Sequence, residues 1–97
     1  MIKLGILATV EAKAGKEAEV EAFLKSALPL AEGEPATVTW YAFKINENTF
    51  GIFDTFEAEE GRQVHLTGPI AAALMANADT LLAKPPVIEM VDILASK

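Results

Sequence analysis

The spacing of apolar residues changes along the chain, and each change marks a predicted element. Residues 2 to 11 alternate between apolar and polar positions for most of their length, which is typical of a strand. The spacing then becomes that of an amphipathic helix, with apolar positions at Val20, Phe23, Leu24, Ala27 and Leu28. Pro29 ends or kinks this helix, and residues 32–35 form a turn-rich connector.

The rest of the chain gives five further elements and one tight turn. Residues rich in β-branched and aromatic side chains predict strands, and a short polar segment between two of them predicts a hairpin. The predicted elements are a strand at 36–45, a turn at 46–49, a strand at 50–56, a short helix at 58–66 interrupted by Gly61, a helix at 70–83 and a strand at 87–95.

The order strand, helix, strand, strand, helix, strand predicts an α+β fold of the ferredoxin-like βαββαβ type. Both helices pack on one face of a four-stranded antiparallel sheet, with right-handed crossovers. At 97 residues the chain is predicted to form a single domain over 1–97.

The second face of this sheet carries more apolar surface than a monomer exposes. In the third strand, Phe53 opposes Phe50, Ile52 and Phe56, so both faces are apolar. An uncovered apolar face of this size marks an interface, and the simplest solution is a homodimer that packs sheet against sheet as a dimeric α/β barrel. Coverage of the edge strands by loops is the alternative. An apolar cavity beside the sheet would suit a small molecule.

Composition removes several classes of function. The absence of cysteine excludes disulfides, thiolate nucleophiles and zinc–thiolate sites, and the net charge of −6 argues against nucleic acid and membrane surfaces as partners. We see no signal-peptide pattern and no apolar run long enough to span a bilayer, so a cytoplasmic protein is expected. No phosphate-cradling loop or nucleotide fingerprint supports a flavin or nicotinamide cofactor.

His65, the sole histidine, is the first candidate for chemistry. It could act as a general base or acid near neutral pH, or ligate a metal or haem iron. The alternative is an ordinary surface or capping histidine near a helix end. Because no second histidine exists, a multi-histidine metal site is impossible, and no metal site is predicted.

Asp54 is the second candidate, because it shares an alternating face with Ile52 and Phe56, where an apolar residue is expected. A carboxylate there must be paired, with Arg62, Lys44 or His65, and could orient the histidine or bind substrate. A purely structural ion pair is the alternative. The predicted substrate-binding residues are Trp40, Tyr41, Phe53, Met90 and Arg62, although core packing or solvent exposure is the common role of such residue types.

Nearly the full length of the chain resembles the antibiotic-biosynthesis monooxygenase family. The resemblance is carried by the opening strand with Ala14-Gly15-Lys16-Glu17, by the hairpin, and above all by the aromatic strand Phe50-Gly51-Ile52-Phe53-Asp54-Thr55-Phe56. As in the family, a helix bearing His65-Leu66 follows, and Pro85-Pro86 precedes the last strand.

The resemblance implies a dimeric ferredoxin-like barrel that oxidises a small aromatic or quinol-like compound with molecular oxygen, without a cofactor. His65 would lie nearest the chemistry, with Asp54 and Trp40 beside it. Haem-degrading relatives are expected to combine an asparagine on the first strand, a tryptophan near the third and a helix histidine. Here the first strand has Thr9 and no asparagine, and the third strand ends in Phe56, so haem degradation is not expected. The alternatives are a non-catalytic dimeric barrel that binds a small apolar ligand or serves as a stress-response accessory protein, and an isomerase or decomposition enzyme in which His65 shuttles a proton.

Overall fold

The computed structural model describes all 97 residues and contains four strands and four helices. The strands are β1 (Leu4–Glu11), β2 (Thr37–Lys44), β3 (Thr49–Phe56) and β4 (Val87–Asp92). The helices are α1 (Glu17–Ser26), α2 (Leu28–Glu32), α3 (Glu59–Leu66) and α4 (Pro69–Leu81).

The strands form one antiparallel sheet in the order β2-β3-β1-β4, which confirms the predicted ferredoxin-like α+β fold. The central pair β1 and β3 is in continuous register from Leu4 opposite Phe56 to Glu11 opposite Thr49. Each helix-containing connection joins two strands that are consecutive in sequence but not adjacent in the sheet, β1 to β2 and β3 to β4.

The core lies between the helices and one face of the sheet. Alternate residues of β1 and β3 are buried there, and the apolar stripe of α1 packs on them through Val20 and Leu24. A smaller cluster of Ala27, Ala31 and Ile70 joins α2 to α4, and Trp40 packs against both clusters. Trp40 therefore lies where the two parts of the core meet.

Several element ends differ from the prediction. Pro29 does not simply end the first helix, because it occupies the first turn of the separate short helix α2, where its missing N–H costs no hydrogen bond. The long helix ends at Leu81 rather than residue 83. The last strand ends at Asp92, because β1 begins at Leu4 and offers no further partner beyond the bond from Ile93 N to Lys3 O.

The second face of the sheet, which we call the open face, carries no helix. Leu7 and Phe53 lie opposite each other at its centre, and the large side chains of Tyr41 and Phe43 on β2 are exposed there. The Phe43 ring lies directly over Gly51, whose missing side chain leaves room for it. The open face is thus apolar in this protein, as the sequence predicts.

None of the helices has the length and apolar character needed to cross a lipid bilayer.

Candidate functional site

Three parts of the chain bring two carboxylates and one imidazole together on the helix-covered side of the sheet. Asp54 projects from β3, His65 from the last turn of α3, and Glu34 from the connector between α2 and β2. α3 can approach this connector closely because residue 61 is glycine: a Cβ there would lie 2.9 Å from the Cβ of Ala36. We call these three side chains the carboxylate–imidazole cluster.

The imidazole is held at both nitrogens. His65 Nε2 lies 2.8 Å from Asp54 Oδ2, and His65 Nδ1 lies 2.7 Å from Glu34 Oε1. His65 is only 7% exposed and Asp54 only 1%, and the Phe56 ring lies 5.5 Å from the imidazole ring. No group of three or more histidine, cysteine, aspartate or glutamate side chains is arranged to hold a metal ion.

Local hydrogen bonds hold Glu34 in position. Its backbone N–H donates to Ala31 O at the end of α2, and the Thr37 hydroxyl donates to the same Oε1 that contacts His65, at 2.8 Å. Gly68 leaves room for the carboxylate, because a Cβ at residue 68 would lie 3.3 Å from Glu34 Oε2. These contacts fix the position of the Glu34 carboxylate beside His65.

The geometry favours the doubly protonated imidazole. A neutral ring has one N–H and one lone pair, so it would set the lone pair against a carboxylate oxygen. Burial, the largest single effect, lowers the pKa of His65, but the hydrogen bonds and charges of Asp54 and Glu34 together outweigh it and raise the pKa to about 8. At pH 7 the cluster thus holds one imidazolium between two carboxylates, with one net negative charge.

A surface groove runs between α2 and β2 and reaches the cluster at Glu34. The part next to Glu34 has a volume of about 320 Å³ and is lined by Leu28, Ala31, Glu34, Thr37 and Trp40, among others. A second part, of about 340 Å³ and mostly apolar, continues along β2 and shares Leu28 and Trp40 with the first. We call both parts the α2–β2 groove. Its size and lining suit a small aromatic molecule.

Two buried polar atoms have no hydrogen-bond partner: Asp54 Oδ1 and Nε1 of Trp40, a residue that lines the groove. The two residues are directly opposite each other on β2 and β3. Asp54 therefore uses one carboxylate oxygen for His65 and leaves the other free. Such atoms are uncommon in folded proteins, because burying a polar group without a partner is costly.

The structure brings only part of the predicted site together. His65, Asp54 and Trp40 lie around the cluster and the groove. Phe53 lies on the open face, and Met90 lies on the edge strand β4 with 52% of its surface exposed.

Tyr41 and Arg62 lie in other surroundings. Tyr41 borders the second part of the groove but is 57% exposed on edge strand β2. The Arg62 guanidinium contacts Glu59 and donates to two backbone carbonyls, Gly5 O and Val91 O, at 3.4 Å each. It thereby ties α3 to the strands β1 and β4.

Glu34 is the site residue that the sequence pattern does not reveal. It stands in a turn-rich segment, where a carboxylate is ordinarily solvated, and its partner His65 is 31 residues away. Asp54, by contrast, is recognisable as a carboxylate on an apolar face, and of its three predicted partners the structure pairs it with His65.

A similar chain of known structure is the NE2512 protein of unknown function from Nitrosomonas europaea. It is 57% identical, the match covers 100% of this chain and 94% of that chain, and the TM-score is 0.98. This chain belongs to the same family as NE2512. No protein-family model and no curated protein matches the chain.

More distant structures share the fold. A provisionally named antibiotic biosynthesis monooxygenase from Caulobacter crescentus is 20% identical with a TM-score of 0.81, covering 97% of this chain and 92% of that chain. PA3566 from Pseudomonas aeruginosa is 15% identical with a TM-score of 0.82, covering 98% and 97%. The resemblance to the antibiotic-biosynthesis monooxygenases is thus confirmed at the level of the fold.

Proposed function

We propose that this protein oxidises a small phenol or quinol-like compound with molecular oxygen in the α2–β2 groove. The observation that carries the proposal is Asp54: a buried carboxylate, paired with a cation at one oxygen and free at the other, whose cross-strand neighbour Trp40 lines the groove. A buried carboxylate with a free oxygen is suited to take a proton from a bound hydroxyl group.

The proposed roles follow from the hydrogen bonds of the cluster. His65, with both N–H groups engaged, is a fixed positive charge or an acid rather than a base, and it orients Asp54. The phenolic proton moves to Asp54 Oδ1, and the phenolate that remains is the electron-rich form that reacts with oxygen. The mostly apolar part of the groove along β2 suits the aromatic ring of the substrate.

The overall reaction balances without a further reductant. A phenol loses its O–H proton and one ring hydrogen and is oxidised by four electrons to a quinone. Dioxygen accepts those four electrons; one of its atoms becomes the new carbonyl oxygen and the other leaves as water. The substrate is the only electron donor that this reaction requires.

The fold neighbours support this reaction class through their names alone. Provisionally named antibiotic biosynthesis monooxygenases from Caulobacter crescentus and Nitrosomonas europaea have the same fold, with TM-scores of 0.81 and 0.83. The relative at 57% identity is of unknown function. The proposal therefore depends on the chemistry of the cluster and groove.

Oxygen uptake with a panel of phenols and hydroquinones tests the proposal. We expect turnover by the wild type and a loss of about 100-fold or more in Asp54→Asn, the size of a typical general-base contribution. Glu47→Gln, which removes an exposed carboxylate in the β2–β3 turn, is the matched control and should keep full activity. No uptake with any compound, or equal rates in a folded Asp54→Asn protein, would contradict it.

A non-catalytic role in binding small apolar ligands is the second candidate. The apolar lining of the groove around Leu24, Leu28 and Trp40 favours it independently of the cluster. Saturable binding of aromatic compounds without any oxygen consumption would support this role over oxidation.

We further propose that the protein is a homodimer that packs the open face of one copy against that of another. The support is the exposure of Tyr41 and Phe43 beside the central pair Leu7 and Phe53. Sedimentation equilibrium should give the mass of a dimer for the wild type and of a monomer for Leu7→Lys. The control is Val64→Lys, which changes an exposed apolar residue of α3; a monomeric wild type would contradict the proposal.

A further inference from the structure

Two unpartnered buried atoms on the helix-covered face form a matched pair. Trp40 Nε1 carries a hydrogen and can only donate, whereas the ionised carboxylate oxygen Asp54 Oδ1 can only accept. Their residues are cross-strand neighbours, and side chains of such neighbours lie close together on one face. Neither atom is hydrogen-bonded to the other or to any other group of the chain.

The chemistry of this pair restricts what can satisfy both atoms at once. The missing partner must accept one hydrogen bond from the indole and donate one to the carboxylate. A hydroxyl group does both. A ketone or an ether cannot donate, and an ammonium group cannot accept. A carboxylate or phosphate would be repelled by the net negative charge of the cluster and of the protein.

We propose that Trp40 Nε1 and Asp54 Oδ1 form a subsite for the hydroxyl group of a neutral phenol bound in the α2–β2 groove. This inference rests on the proposed function and deepens it by assigning the hydroxyl its two partners. Trp40 lines both parts of the groove, so its indole connects a ligand ring lying there with the buried pair. Asp54 receives the hydroxyl hydrogen, and the indole N–H stabilises the oxygen as its negative charge develops.

The burial of both atoms adds a structural requirement. Asp54 is 1% exposed, so the ligand reaches it only if the wall of the groove moves. The short helix α2 is that wall: its Ala31 packs with Ala27 and Ile70 against Trp40, and the connector that follows it carries Glu34. The proposed subsite therefore requires α2 to shift away from Trp40 when the ligand binds.

The sole tryptophan and the sole histidine make the subsite directly observable. The experiment follows the Trp40 indole N–H signal by NMR during titration with phenol in the absence of oxygen, so that binding is measured without turnover. Anisole is the matched ligand, because it has the same ring and oxygen but no hydrogen to donate. We expect phenol to shift the indole signal and to bind about 10-fold or more tightly than anisole, the value of a well-formed hydrogen bond to a charged group.

Variants separate the subsite from the rest of the groove. In Trp40→Phe, with binding followed through the His65 ring signals, the preference for phenol over anisole should fall. The control Glu47→Gln should keep the wild-type preference. Equal affinities for phenol and anisole in the wild type would overturn the proposal. An indole proton that contacts only a long-lived water, with no response to phenol, would also overturn it.

The binding experiment and the oxygen-uptake experiment can fail separately. A clear preference for phenol without oxygen uptake would remove the proposed oxidation and keep the subsite. Oxygen uptake with equal affinity for phenol and anisole would keep the proposed oxidation and remove the subsite.

Discussion

Arg62 and His65 lie one helical turn apart on α3, and both are nearly buried beside acidic partners. Arg62 meets Glu59 of its own helix, whose side chain is half exposed, and its remaining bonds go to backbone carbonyls. His65 meets two carboxylates from other parts of the chain, and both of these are nearly buried.

The difference between the two residues lies in what surrounds the charge. The carboxylate beside Arg62 can exchange its partner for water, so this pair is of the kind that contributes little to stability. The imidazolium of His65 neutralises two carboxylates that are nearly buried, and it leaves one oxygen of Asp54 free. A charge on α3 thus acts as a structural tie at one position and as the centre of the carboxylate–imidazole cluster at the next turn.

Removal of the imidazolium should have the largest effect on stability. His65→Gln leaves Asp54 and Glu34 as uncompensated buried carboxylates, and breaking a buried pair in this way costs about 3–5 kcal/mol. Urea unfolding measured by far-UV circular dichroism gives the value. Arg62→Met is the matched comparison and should lose clearly less; an equal or greater loss in Arg62→Met would contradict the difference drawn between the two residues.

The pH dependence of stability should show the same contrast at a smaller size. The pKa of His65 is raised from its ordinary 6.5 to about 8 in the folded protein, so its contribution is fully present below pH 6.5 and is lost as pH rises through 8. The expected loss is about 1–2 kcal/mol, from 1.36 kcal/mol per pKa unit.

Urea unfolding of the wild type at pH 6 and at pH 9 measures this loss. The same step should persist in Arg62→Met and vanish in His65→Gln. A wild-type protein equally stable at both pH values would mean that the His65 ring gains no proton affinity on folding.

The smallest expected effect is a change in the pKa of His65, which should distinguish its partner Glu34 from Glu59, the partner of Arg62. Glu34→Gln removes a carboxylate that contacts the imidazole, so the pKa of His65 should fall by about one unit. Glu59→Gln removes a carboxylate that contacts only Arg62 and Gln63, so the pKa of His65 should not change. NMR titration of the His65 ring protons gives both values, and equal shifts in the two variants would contradict the assignment.

Much of the fold could be predicted from sequence because alternation in the strands and the 3.6-residue spacing in the helices are local patterns. The position of Asp54 on an apolar face was also visible, and this was enough to expect a buried partner. Helix α2 was not predicted, since five residues around Pro29 are too few to show a period.

Glu34 could not be predicted for a different reason. Its role depends on tertiary contacts: the close approach of α3 at Gly61 and the space left by Gly68 bring a turn carboxylate to the histidine. Neither glycine indicates a charged partner when the chain is considered segment by segment.

The protonation state of His65 at neutral pH tests the central claim most directly. As the sole histidine, its ring gives an unambiguous ¹⁵N spectrum in the uniformly labelled protein. A doubly protonated imidazolium at pH 7, with both N–H groups hydrogen-bonded and a titration midpoint near 8, is the predicted result. A neutral ring at pH 7 with one bare nitrogen would contradict the ion cluster on which the proposed roles of His65 and Asp54 depend.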